Sequence, residues 1–188
     1  MSVFQNTGDF SYLGSLLFPE KKHVFLKASF KIEINQRPTQ EIAEIQKLTP
    51  SSVYAKPLID EIRKIGERRH LEDRYISRAE FFLVRGQYLK AIILINEAFL
   101  IRLYQIAGID RKIGYKDWKD INLKEILDST EDREKLEVFR LLRNMVVHSS
   151  EPEGPHAGRV KDMLMNEERL RDFLREMISL YNKLSLRR

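Results

Sequence analysis

In Arg140-Leu141-Leu142-Arg143-Asn144-Met145-Val146-Val147-His148-Ser149-Ser150, an arginine and a histidine stand with four residues between them in an otherwise apolar run. A histidine titrates near neutral pH and can take or give a proton. An arginine keeps its charge and presents a planar fork of donors to anionic oxygens. Together they suit phosphoryl chemistry, the one moving protons and the other offsetting charge that builds on oxygen. Asn144 adds an amide that can hydrogen-bond a phosphate or hold the histidine in one tautomer. Arg143 and His148 are therefore the catalytic candidates, with Asn144 in support.

Spacing constrains how such a pair can act. Five steps of roughly 100° each set Arg143 and His148 about 140° apart around an ideal helix. One regular helix is then not expected to aim both at a single phosphate. Either the helix ends or distorts near His148, or two chains each lend part of the site across a twofold axis. Ser149-Ser150-Glu151-Pro152-Glu153-Gly154-Pro155 cannot continue a helix, so termination there is expected.

The form Arg143-Asn144-x-x-x-His148 resembles the R-x4-6-H signature of HEPN ribonucleases, including the arginine-asparagine opening. Upstream, Ala79-x-x-x-x-x-x-Gly86-Gln87-Tyr88-x-x-Ala91 resembles the paired first helices of HEPN domains, and the likeness extends over Leu71 to about Leu184. It implies an all-α bundle and a metal-independent endoribonuclease of single-stranded RNA, working as a homodimer without cofactor. RNA carries its own nucleophile, the 2′-hydroxyl beside the scissile phosphate, so the expected product is a 2′,3′-cyclic phosphate. Near the start, Thr7-Gly8-Asp9-Phe10-Ser11-Tyr12-Leu13 resembles the stretch that follows the ligand-sensing CARF domain in one branch of CRISPR-associated proteins. That likeness implies a role in CRISPR antiviral defence, with the CARF sensor missing here or on a separate chain. Two other readings stand beside it: a non-catalytic helical interaction module, and a toxin ribonuclease held by a nucleotidyltransferase antitoxin.

The bulk properties bound these expectations. With 33 Lys+Arg against 28 Asp+Glu in 188 residues the chain carries +5, which suits an anionic partner without requiring one. Cysteine is absent, which excludes disulfides, zinc-thiolate sites and thiol nucleophiles. No apolar run approaches the ~20 residues of a membrane helix, and no signal peptide opens the chain, so a cytoplasmic protein with no membrane partner is expected. No acidic or histidine cluster has metal-ligand spacing, and no glycine-rich phosphate loop occurs.

The elements that must position the motif read as helices. A short amphipathic segment from Phe4 to Phe18 breaks at Pro19, and His23 to Asn35 fits helix better than strand. Ile42, Ile45 and Leu48 follow Pro38 at helical spacing; Leu58, Ile62 and Ile65 mark the next helix, ending near Gly66. Two core helices, roughly Leu71–Arg85 and Gln87–Ala107, are separated by Gly86. A polar connection from Gly108 leads to Ser129, which opens the motif helix. Val160 to about Leu184 then reads as one last amphipathic helix. The expected organisation is an N-terminal helical extension over 1–68 and a HEPN bundle over 69–188.

Other side chains could touch RNA. Arg140, one turn before Arg143, widens a phosphate-binding face or pairs with Glu137 or Glu134. His156 sits in the loop just beyond the motif. Arg63, Lys64, Arg68, Arg69 and His70 form the densest positive cluster before it, as a solvated helix end or an RNA-backbone contact. Glu97 could support the arginine from a neighbouring helix, and Tyr104, Tyr115 and Trp118 could stack bases.

Overall fold

The computed structural model describes residue 14 and residues 16–33, 36–48, 56–109 and 121–185. Every regular element among them is helical, as expected. The Thr7–Leu13 stretch, Tyr115 and Trp118 lie outside the described residues. The chain divides into two compact units, Met1–Gln87 and Tyr88–Arg188.

In the first unit a 3-10 turn at Pro19–Lys21 leads into α1 (Lys22–Glu33), followed by α2 (Thr39–Leu48), α3 (Lys56–Gly66) and α4 (Leu71–Val84). The ambiguous stretch after Pro19 is helix because Val24, Phe25, Ala28 and Ile32 share one face and are all buried. Leu26 and Phe30, on the outer side of that helix, are each 58% exposed. Isoleucines 42, 45, 59, 62 and 65 from α2 and α3 meet this face, and Phe81 of α4 closes the core. Each such side chain contributes about 1.5–3 kcal/mol by leaving water. Gly66 permits a close approach: a Cβ there would meet the Pro38 ring at 2.7 Å.

Polar ties fix the same unit. Lys31 Nζ lies 2.8 Å from Glu41 Oε1, joining α1 to α2. Arg78 Nη1 donates to the Ile32 carbonyl at 3.1 Å, satisfying one of the acceptors that the end of α1 leaves open. Helix α4 stops at Gly86, whose φ of +69° suits a residue without Cβ, and the Gln87 amide closes the turn on the Phe82 carbonyl at 3.0 Å.

The division at Gln87/Tyr88 falls later than the 68/69 boundary expected from sequence. Phe81 explains the difference: α4 lends it to the isoleucine core of the first unit. The two helices expected as the opening pair of one bundle therefore belong one to each unit.

The second unit comprises α5 (Tyr88–Ile106), a one-turn α6 (Leu123–Ile126), α7 (Thr130–His148), α8 (Ala157–Leu164) and α9 (Glu167–Ser185). A chain of rings links three of them: Phe99 of α5 lies 6.3 Å from Phe139 of α7 and 5.7 Å from Tyr181 of α9. Phe139 in turn lies 6.5 Å from Phe173. Such offset and edge-to-face pairs add to the burial energy itself. Tyr104 is buried in α5, at 7% exposure, and offers no face for a base.

The single closing helix expected from Val160 is two helices. Met165 ends α8, and Asn166 caps α9 by accepting the Arg169 amide at its Oδ1, 3.1 Å away. Glu167 and Glu168 then occupy the first turn, where the helix dipole favours them. No described helix is long and apolar enough to cross a membrane.

Candidate active site

Helix α7 is secured at its start and along its middle. Ser129 caps it, its Oγ accepting the Asp132 amide at 3.3 Å, and Glu131 and Asp132 sit at the positive helix end. Arg133 clamps the entry by donating to the Leu127 carbonyl at 2.7 Å and to Thr130 Oγ1 at 2.8 Å. Leu136, Val138, Phe139 and Leu142 are buried without residual exposure. Beyond Leu142 no residue of α7 is fully buried, and Val147 and His148 are exposed.

At that end Arg143 Nη1 lies 2.9 Å from His148 Nε2 and donates to Asn144 Oδ1 at 3.0 Å. Of the two arrangements that the helical phase leaves open, the structure shows the helix ending near His148, with Ser149 next in the left-handed region. Helix α7 continues to His148, and the axial rise over five residues is about 7.5 Å, within reach of an extended arginine. One chain brings the two side chains together without a second.

The contact also fixes chemistry. Guanidinium has donors and no acceptor, so in this contact His148 Nε2 is the accepting atom. Arg143 has no carboxylate partner among the described residues, and its Nε and Nη2 make no hydrogen bond among them. Helix α7 ends at Ser149 in the left-handed region, φ 52° and ψ 29°, and Ser150 Oγ donates back to the Asn144 carbonyl at 3.2 Å.

The other sequence candidates lie elsewhere. Arg140 is engaged by Glu137, whose Oε2 accepts from its Nε at 3.1 Å and its Nη2 at 2.8 Å. His156 follows the motif closely in sequence, but the Pro/Gly segment carries the chain back along α7. Its Nδ1 lies 3.9 Å from Glu134, which also accepts from Arg159 Nη1 at 3.2 Å. Glu134 is about 20 Å along the helix axis from His148, so His156 is not brought to Arg143 and His148. Glu97 is not among the partners of Arg143.

Two features escaped the sequence reading. Glu134 and Arg159 pair across 25 positions, and neither has a local signal to announce it. Tyr88 Oη donates to Glu167 at 2.6 Å and accepts from Arg171 Nη2 at 3.1 Å, tying the start of α5 to the start of α9. Burial and the Glu167 carboxylate push the Tyr88 hydroxyl above its ordinary range. Glu167 and Arg171 stand at helical i, i+4 spacing, the one hint the sequence held.

Among the described residues no group of three or more His, Asp or Glu side chains converges to hold a metal ion. Comparison of the chain with protein families, with curated proteins and with solved structures finds no match.

Proposed function

We propose that the chain is an endoribonuclease of single-stranded RNA, linked to CRISPR antiviral defence. The observation that carries this reading is the Arg143–His148 pair, 2.9 Å apart on an exposed helix end. Arg143 takes the non-bridging oxygens of the scissile phosphate through its unengaged donors. That phosphate draws Nη1 away from His148, whose freed lone pair accepts the proton of the 2′-hydroxyl. The 2′-oxygen attacks phosphorus, and the 5′-oxygen departs with a proton from solvent. The products are a 2′,3′-cyclic phosphate and a 5′-hydroxyl. Because the nucleophile belongs to the substrate, no metal is needed to generate it. A homodimer and a separate CARF sensor chain belong to the same proposal and rest on the sequence resemblance.

The test is cleavage of end-labelled single-stranded RNA in EDTA. Activity that persists, with cyclic phosphate ends, supports the reading. Loss in EDTA that magnesium or manganese restores overturns it.

One observation favours a second reading, a non-catalytic interaction module. The described hydrogen bonds of the Arg143 side chain fall within its own helix end, where they also serve as a terminal clasp. RNA left intact by the wild-type chain under all conditions would select that reading. A toxin ribonuclease would share the chemistry and differ in its neighbouring genes.

A further inference from the structure

Two connections of the first unit meet beside Gly66. A Cβ there would lie 2.7 Å from the Pro38 ring, so the chain entering α2 runs close against the link from α3 to α4. Arg37 fastens the meeting point, its Nη2 donating to the Arg69 carbonyl at 2.6 Å. Its Nε and Nη1 make no hydrogen bond among the described residues. Arg74 stands one turn into α4, its amide bonded to the His70 carbonyl at 3.2 Å. Its side chain is half-buried: Nε is buried without a partner, while Nη1 and Nη2 keep contact with solvent and make no hydrogen bond among the described residues. Neither guanidinium has an ion-pair partner among those residues.

Two like charges held near each other, with no ion pair to either, carry a cost that an anion removes. Burial pushes the Arg74 guanidinium below its ordinary range, and the Arg37 charge pushes it the same way, against the weaker pull of Tyr75 and Glu72. The acidic side chains of this corner are engaged otherwise. Glu67 lies 3.5 Å from Arg63. Glu72 is only 2% exposed, and of the four influences on Arg74 its own is the smallest. Asp73 is not among those influences. Both Glu72 and Asp73 stand in the first turn of α4, where the positive helix end already favours them.

We propose that Arg37 and Arg74 together hold a phosphate group at the start of α4, each turning the open donors of its planar fork to the phosphate oxygens. A tetrahedral phosphate presents separate oxygens to two guanidiniums, whereas a planar carboxylate is matched by one. The anchor of Arg37 on the Arg69 carbonyl sets its fork in place before the anion arrives. The same grip serves a free phosphoryl group or one phosphate of an RNA strand. It uses neither Arg143 nor His148, so this site stands or falls separately from the ribonuclease reading.

The test uses the full chain carrying His148→Ala, so that RNA stays intact. Binding of inorganic phosphate is measured by calorimetry, and as a rise in melting temperature over chloride at equal ionic strength. Binding of labelled single-stranded RNA is measured by fluorescence anisotropy. Arg37→Gln and Arg74→Gln should each weaken binding about tenfold, while Lys47→Gln, which removes an exposed cation on α2, changes it little. Arg74→Lys keeps the charge and loses the fork, and should weaken binding several-fold. Phosphate binding with this pattern assigns the site to a free phosphoryl group; the pattern with RNA alone assigns it to a strand. Circular dichroism confirms that each variant is folded, and the exposed Arg37 carries the test if Arg74→Gln is not. No binding of either ligand by the starting chain, binding that Arg37→Gln leaves unchanged, or equal weakening by Lys47→Gln and Arg37→Gln, overturns the proposal.

Discussion

Arg143 Nη1 reaches two acceptors at once, His148 Nε2 at 2.9 Å and Asn144 Oδ1 at 3.0 Å. With the guanidinium donating to it, the Nε2 lone pair is engaged for as long as the arginine stays in place. An arriving phosphate is the natural competitor for those donors, because a charge-assisted pair outweighs two neutral acceptors. Under the proposed function, substrate binding and release of the base become one event.

If histidine moves protons and arginine stabilises phosphoryl charge, His148→Ala and Arg143→Ala should each cut cleavage by roughly 10²-fold or more. RNA affinity should fall less for His148→Ala, which removes at most one contact. Cleavage, affinity and dimerisation are best measured on the same preparations. Folded, dimeric variants that cleave like wild type would make the motif scaffolding.

Asn144→Asp tests the competition directly. A carboxylate at Oδ1 would pair with Arg143 and resist its transfer to phosphate, so single-turnover cleavage should drop about tenfold. Thermal stability should hold or rise, because the new ion pair lies on a partly exposed helix end. Unchanged cleavage would show that Arg143 need not leave its neighbours.

Ser149 is the one non-glycine with positive φ among the described residues. Ser149→Gly should raise stability by about 0.5–1 kcal/mol by relieving that backbone, read as a higher urea midpoint. A lower midpoint would mean that the serine contributes more than its backbone strain removes.

Much of this arrangement is legible in the residues, and its gaps have physical causes. Ser129 and Gly86 mark helix ends because capping and positive φ are local demands that residue type meets directly. The break at Asn166 had the same kind of signal, a cap residue followed by two glutamates, but the apolar period runs across it. Phe81 looks like any core aromatic in sequence; that it joins the isoleucines before it, shifting the unit boundary, depends on packing at long range. Backbone phase alone set Arg143 and His148 apart, because it ignores the length of an arginine side chain. The distant partners of His156 follow from the path of the Pro/Gly segment, which no periodicity describes.

Glu41 gives a pH signature. Burial pushes its carboxyl up, but the hydrogen bond and charge of Lys31 outweigh this and hold it below the ordinary value of 4.5. A depressed folded value means the stabilisation is complete above the unfolded value and lost as pH falls through the folded one. Glu41→Gln should therefore destabilise the chain by about 1–2 kcal/mol at neutral pH. Below pH 4.5 the difference from wild type should shrink, as urea midpoints across pH would show.

Leu142 is the last fully buried residue of α7, and everything the proposed chemistry needs comes after it. A helix end without buried anchors can unwind at a small fraction of the free energy that holds the rest of the unit. The competent geometry is then a population, the share of time in which the last turn and a half is wound. A surface that packs on Val147, already 37% exposed, would raise that share without touching Arg143 or His148. Activation of such a site requires no movement of the bundle, only the winding of its free end.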